Sequence, residues 1–170
     1  MAEVDPAVQA LVDRAAIHDV LMRYCRGVDR CDLDLVRSAY HPDAVDDHGY
    51  WKGSGWDFAA FIVRDIARRS SVTTHAVANE LISLHGDTAD VESYVFAYLC
   101  PPAGESPLVN LFAGRYVDRF ERRDGEWRIA RRTVVHDWSR QLAAAPESLG
   151  LPLDGFAQGS RDGSDPVFSG

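Results

Sequence analysis

Val8, Leu11, Val12, Ala15, Val20, Leu21, Tyr24 and Val28 recur at helical spacing, which predicts a first helix over residues 6–28. Asp5 before Pro6 marks its start: an N-cap carboxylate, then a proline at the first helical position. Gly27 weakens the far end. Asp32 reads as the cap of a second, shorter helix carrying Leu35, Val36, Ala39 and Tyr40, with His41-Pro42 as its terminator. Asp43–Gly55 is polar and glycine-rich, with short extended pieces at Ala44–Asp47 and Tyr50–Lys52. A third helix runs from Trp56 to about Arg69, with Phe58, Phe61, Ile62 and Ile66 on one face.

From Thr73 the pattern turns to β. Thr73–Leu84 and Asp87–Leu99 flank the hairpin signal His85-Gly86-Asp87, and Asn110–Arg122 and Glu126–Trp138 flank Arg123-Asp124-Gly125. Pro101–Pro107 is an irregular link. Helices first and long antiparallel strands afterwards predict an α+β domain, its N-terminal helices packed into one face of a strongly curved sheet with a ligand pocket between. The domain is expected over residues 1–140, followed by a Pro/Gly/Ser-rich tail over 141–170.

Composition narrows the function. A net charge of −8 and a pI near 5.1 argue against nucleic acid, whose binding rests on basic patches that neutralise phosphates. Cys25, Cys31 and Cys100 form no C-x-x-C pair and leave an odd count, so neither a disulfide framework nor a structural zinc site is expected. The start MAEVDPAVQA lacks the basic and apolar parts of a secretory signal. No apolar run approaches the ~18 residues of a membrane span. The expectation is a cytoplasmic protein with no membrane or nucleic-acid partner.

Three residues offer a complete set of catalytic groups: Tyr24, Asp29 and His75. Imidazole accepts a proton near neutral pH, and a carboxylate on its other nitrogen fixes the tautomer and raises basicity. Tyr24 is the candidate phenol donor, to hold a carbonyl as an enolate develops or to protonate a departing hydroxyl. On a straight helix Tyr24 and Asp29 stand roughly 140° apart, so the two converge only if the helix bends or ends near Gly27. The bland alternatives are a core tyrosine, a helix-end aspartate and a half-buried strand histidine. Asp46-Asp47-His48 suggests metal ligands only weakly, since consecutive residues rarely converge on one ion; no metal and no cofactor is expected.

Candidates for the substrate pocket are His48 and Trp51 in the polar stretch, Tyr94 and Tyr98 on one strand face, Asn110, and His136 with Trp138, which share strand parity. Val95, Ala97 and Leu99 form the opposite face of the same strand, and either set is able to meet the ligand. His18 and His41 read as exposed or helix-terminal.

The Y-x-x-x-x-D of Tyr24–Asp29, the segment Tyr40–Gly49, Thr74-His75, Glu92-Ser93-Tyr94 with Ala97-Tyr98, and Trp127–Ala130 with Asp137-Trp138 carry a resemblance. Over about residues 8–140 the chain resembles the SnoaL-like branch of the cone-shaped α+β barrels named after nuclear transport factor 2. Tyr24, Asp29 and His75 are similar, one by one, to the pattern of bile-acid 7-alpha-dehydratases, and the Asp–His pair resembles the dyad of scytalone dehydratase-type proteins. His136 is a candidate for the second histidine of such sites. The resemblance implies elimination: a cofactor-independent, dehydratase-like lyase acting on a small or polycyclic apolar hydroxy-carbonyl compound, or an isomerase or cyclase using the same base. The alternative is a non-catalytic ligand-binding or oligomer-building module. Self-association as a homo-oligomer, dimer or trimer, is expected either way, because a curved sheet face needs covering.

Overall fold

The computed structural model describes residues 5–102, 104–143 and 150–168. Helix α1 (Pro6–Arg30) begins where the Asp5 carboxylate accepts the Ala7 backbone N–H at 2.7 Å. It ends at Cys31, whose left-handed φ of 54° turns its N–H back to the carbonyls of Gly27 and Val28. The helix does not break at Gly27. A Cβ there would lie 2.8 Å from Val36 Cγ2 and from the Val36 backbone nitrogen, so this glycine lets the next helix approach.

That helix, α2 (Leu33–Ser38), is capped by Asp32, which accepts the Leu35 N–H at 3.0 Å. Tyr40, expected on α2, instead opens β1 (Tyr40–Asp47), because the ladder to a distant strand claims the chain there. His41 is buried in β1 rather than exposed, and its Nε2 lies 2.9 Å from the Glu121 carbonyl oxygen. Strand β2 (Lys52–Ser54) leads into α3 (Gly55–Arg69), whose N-terminus is capped by Ser54.

Four long strands follow: β3 (Val72–His85), β4 (Thr88–Cys100), β5 (Leu108–Arg123) and β6 (Glu126–Ala143). The β5–β6 turn is Asp124-Gly125, with φ of 53° and 82°, the left-handed pair that a two-residue hairpin of this twist requires. The link expected over Pro101–Pro107 separates β4 from β5, except that residue 103 lies outside the described residues.

The strands form one sheet in the order β2-β1-β6-β5-β4-β3, antiparallel except for the β1–β6 pair. Register shifts between Ala78 and Leu81, Ala113 and Gly114, and Arg119 and Phe120 bend the long strands. The sheet curls around the helices without closing. Its inner face supplies Val91, Val95, Tyr116, Phe120 and Ile129 to a core completed by Ile17, Leu21, Tyr24 and Val28 of α1 and Phe58 and Ile62 of α3.

The described part of the tail, residues 150–168, packs on its own chain. Arg30 at the end of α1 donates to the Ser160 carbonyl and pairs with buried Asp165 at 3.2 Å. Arg161 donates to the carbonyls of Asp29 (3.2 Å) and Ser70 (2.6 Å). Residues 144–149 and 169–170 of the expected tail lie outside the described residues.

Candidate functional site

Asp29, in the last turn of α1, faces β3. Its Oδ1 lies 2.7 Å from His75 Nδ1, and its Oδ2 accepts the His75 backbone N–H at 2.9 Å. Two bonds to one residue fix both the ring and the strand beneath it. His75 pairs with Ala97 across β3–β4, on the inner face, and so enters a chamber of about 410 Å³. The side chains of His75 and Asp29 are only 12% and 17% exposed, which shields the pair from screening by solvent.

Tyr24 lines the same chamber, while Asp29 stands behind His75 and does not line it. The helix therefore needs no bend. Its two faces do separate work: one presents the phenol to the cavity, the other holds the histidine from outside.

A second histidine–aspartate contact stands beside Tyr24. His48 also lines the chamber; its Nδ1 meets Oδ1 of Asp46, and its Nε2 is 3.4 Å from the Tyr24 hydroxyl. Asp46 is fully buried, and its Oδ2 accepts the Tyr40 hydroxyl at 2.7 Å. The His48 ring stacks on Phe58 with centroids 3.9 Å apart. Burial holds the His48 imidazole below its ordinary pKa, despite the opposing pull of Asp46. Burial likewise pushes the Tyr24 phenol far above its usual range, although Arg132 pulls the other way.

Beneath the tyrosines lies a wholly buried ion pair. Arg132 Nε and Nη2 donate to the two oxygens of Asp118 at 2.8 and 2.7 Å. The third nitrogen, Nη1, has no hydrogen-bond partner among the described residues. The guanidinium carbon sits 4.3 Å from the Tyr24 ring centroid and 3.9 Å from that of Tyr116, so the π faces take up that side of the charge. Burial pushes the Asp118 carboxyl up, against the pull of Arg132.

The chamber's remaining walls are largely apolar: Val95, Ala97 and Leu99 of β4, Phe112 of β5 and Val134 of β6, with Tyr50 and Arg69 also lining it. His136 lines it too, its ring 5.4 Å from Phe112.

Five of the seven residues expected in the substrate pocket stand elsewhere. Tyr94 and Tyr98 point to the outer face, 41% and 38% exposed, because the inner parity of β4 belongs to Val95, Ala97 and Leu99. Trp138 is also outward and half-exposed. Gly114 pairs with His136 but Ala113 pairs with Trp138, so Asp137 is an extra residue that reverses the alternation between them. Asn110 lies on a separate surface groove, where it accepts from Gln141. Trp51 stacks on Phe61 of α3, centroids 5.0 Å apart, and does not line the chamber.

Sequence reasoning passed over Tyr116, Asp118 and Arg132, and weighed Asp46 only as a weak metal ligand. One signal was present: in a β-strand, adjacent Arg131 and Arg132 must point to opposite faces, so one of them turns inward. A groove of about 660 Å³ between α1 and the β5–β6 turn, lined by Arg23, Arg26, Glu126 and Arg128, is larger than the chamber. It is open to solvent, the acid and base paired in it are Glu126 and Arg128, and no histidine lines it, so the chamber is the candidate site. Among the described residues no three His, Cys, Asp or Glu side chains cluster as metal ligands would, and no helix is long and apolar enough to cross a membrane.

The model of the SnoaL-like domain family matches residues 9–133 of the chain. No curated protein matches the sequence. Solved structures do. A hexachlorocyclohexane dehydrochlorinase, LinA-type3 from Novosphingobium barchaimii LL02, is 23% identical, covers 82% of this chain and 96% of its own, and has a TM-score of 0.72. A candidate scytalone dehydratase from Novosphingobium aromaticivorans is 19% identical, with coverages of 82% and 93% and a TM-score of 0.72. The Kfla4162 protein from Kribbella flavida is 23% identical over 77% of this chain and 95% of its own, with a TM-score of 0.70. At these identities the likeness is one of fold.

Proposed function

The chain belongs to the SnoaL-like family and has the α+β fold of nuclear transport factor 2-like proteins, and on that premise we propose that its chamber houses a cofactor-independent lyase. The substrate is an apolar hydroxy-carbonyl compound, and the reaction is loss of water. The observation that carries this reading is the Asp29–His75 pair at 2.7 Å on the wall of a largely apolar chamber. Names of two proteins of similar fold, a dehydrochlorinase and a candidate dehydratase, denote eliminations and support the same class.

The Asp29 carboxylate accepts the Nδ1 proton of His75, which leaves Nε2 bare toward the cavity. Nε2 takes the proton from the carbon beside the substrate carbonyl. The electron pair of that C–H bond forms the new C=C bond, and the C–O bond to the hydroxyl breaks. The departing oxygen collects the proton from the His75 imidazolium and leaves as water, so the histidine is reset. Asp29 steadies the transient imidazolium, and Tyr24 acts at the substrate oxygen. Isomerisation is the nearest variant, with the proton returned to a different carbon.

The test is turnover of β-hydroxytetralone, whose dehydration yields fluorescent naphthol. Wild-type protein is expected to accelerate the loss of water. His75→Ala and Asp29→Asn are each expected to cut turnover by at least ~10², the lower end of general acid–base effects, with unchanged circular dichroism. Equal turnover in wild type and His75→Ala sinks the assignment of the base.

A further inference from the structure

We infer that Tyr24, His48 and Asp46 form a hydrogen-bonded chain that turns the lone pairs of the Tyr24 hydroxyl into the chamber, so that Tyr24 recognises a hydroxyl group of the ligand and not its carbonyl. This rests on the chamber being the substrate site proposed above, and it names which end of the hydroxy-carbonyl compound lies at Tyr24.

Asp46 is fully buried, and each of its oxygens faces a different partner, Tyr40 Oη at 2.7 Å and His48 Nδ1. The Tyr40 hydroxyl donates to Oδ2. A carboxylate is an acceptor only, so Oδ1 requires the proton to be on His48 Nδ1. A neutral imidazole carries one N–H, and with it on Nδ1 the other nitrogen is a bare acceptor. His48 is held in place by its stack on Phe58, and burial disfavours a second proton on the ring.

His48 Nε2 faces the Tyr24 hydroxyl at 3.4 Å, and that phenol has one proton to give. Given to His48, it leaves only the oxygen's lone pairs for the cavity. The Arg132 guanidinium under the ring, 4.3 Å from its centroid, eases any negative charge that the phenol gathers. A substrate O–H satisfies this arrangement. A substrate carbonyl facing the same lone pairs is repelled and leaves an acceptor unmatched. Both donor roles expected of Tyr24 from the residues alone, to a developing enolate or to a departing hydroxyl, are thereby replaced by that of an acceptor gripping the hydroxyl.

Two ring compounds of similar shape separate the cases: α-naphthol, with an O–H donor, and α-tetralone, with only a carbonyl acceptor. Binding is followed by titration calorimetry on wild type, Tyr24→Phe and His48→Gln. Wild-type protein is expected to prefer naphthol by about tenfold, and Tyr24→Phe, which keeps the ring and its packing, is expected to lose that preference. Nitrogen-15 spectra of the imidazoles give an answer with no ligand bound: His48 is expected to carry its proton on Nδ1 and none on Nε2. A protonated Nε2 on His48, or a tetralone preference in wild type that Tyr24→Phe removes, overturns the inference. Both readouts are independent of turnover, so a failure of the lyase reading in the β-hydroxytetralone assay is distinguishable from a failure here.

Discussion

Arg132 carries its charge in the middle of the core, and only the fork of bonds to Asp118 and the two tyrosine faces make that tolerable. Removing one partner strands the other without solvent. Arg132→Met is therefore expected to lose about 3–5 kcal/mol in denaturant unfolding, and the double variant Arg132→Met with Asp118→Leu to regain much of it. A double variant no more stable than the single one contradicts this view of the pair. The same residues mark a limit of sequence reading. Tyr24, Asp29 and His75 stood out because a phenol, an acid and a base at familiar spacing have few structural uses together. Arg132 and Asp118 did not, since surface strands carry such residues as often, and alternation alone does not say which face is buried.

At the scale of elements, the site depends on α1 keeping its register against β3. Asp13 near its start accepts from Trp127 Nε1 (3.0 Å) and Arg122 Nη1 (2.7 Å), and Arg161 bonds the carbonyl of Asp29 at its end. The C-terminal strap thus holds the turn that carries the proposed acid. Arg161→Ala is expected to speed amide hydrogen exchange at the end of α1 and in the first residues of β3, with the middle of β5 unchanged; unaltered protection there counts against the strap. Gly27→Ala is expected to cost about 1–3 kcal/mol, because the added methyl meets the Val36 backbone as well as its side chain. Helix and strand positions were legible from periodicity, and the end of α2 was not, since β1 pairing took Tyr40 away from a helical pattern it fitted. The bulge at Asp137 was equally hidden. Period-two reading put Trp138 beside His136, and one inserted residue sent it to the other side of the sheet.

For the whole molecule, the fold class followed from the order of elements, helices before long antiparallel strands, and a strongly curved sheet was expected with it; the positions of the bulges that build the curvature were not legible, because they leave little trace in composition. Which face of β4 is concave was also unreadable: both of its faces are apolar, so Tyr94 and Tyr98 were as good candidates as Val95 and Ala97. Global stability should report the buried histidine. The unfolded chain takes up a proton at His48 near pH ~6.5, and the folded one only at lower pH. The unfolded state then binds more protons, so this contribution is complete above that value and is lost as pH falls below it. Urea midpoints at about pH 7.5 and about pH 5.5 are expected to differ less in His48→Gln than in wild type; an identical drop assigns the effect to other groups.

The base itself is tested most directly by exchange of the α-hydrogens of α-tetralone in deuterium oxide, followed by proton magnetic resonance. This ketone has no hydroxyl to lose, so exchange isolates proton removal from everything that follows it. Wild-type protein is expected to accelerate exchange at the carbon beside the carbonyl, and His75→Ala to return it to the buffer rate. Undiminished exchange in His75→Ala would contradict a chamber in which Asp29 and His75 together remove a proton from carbon.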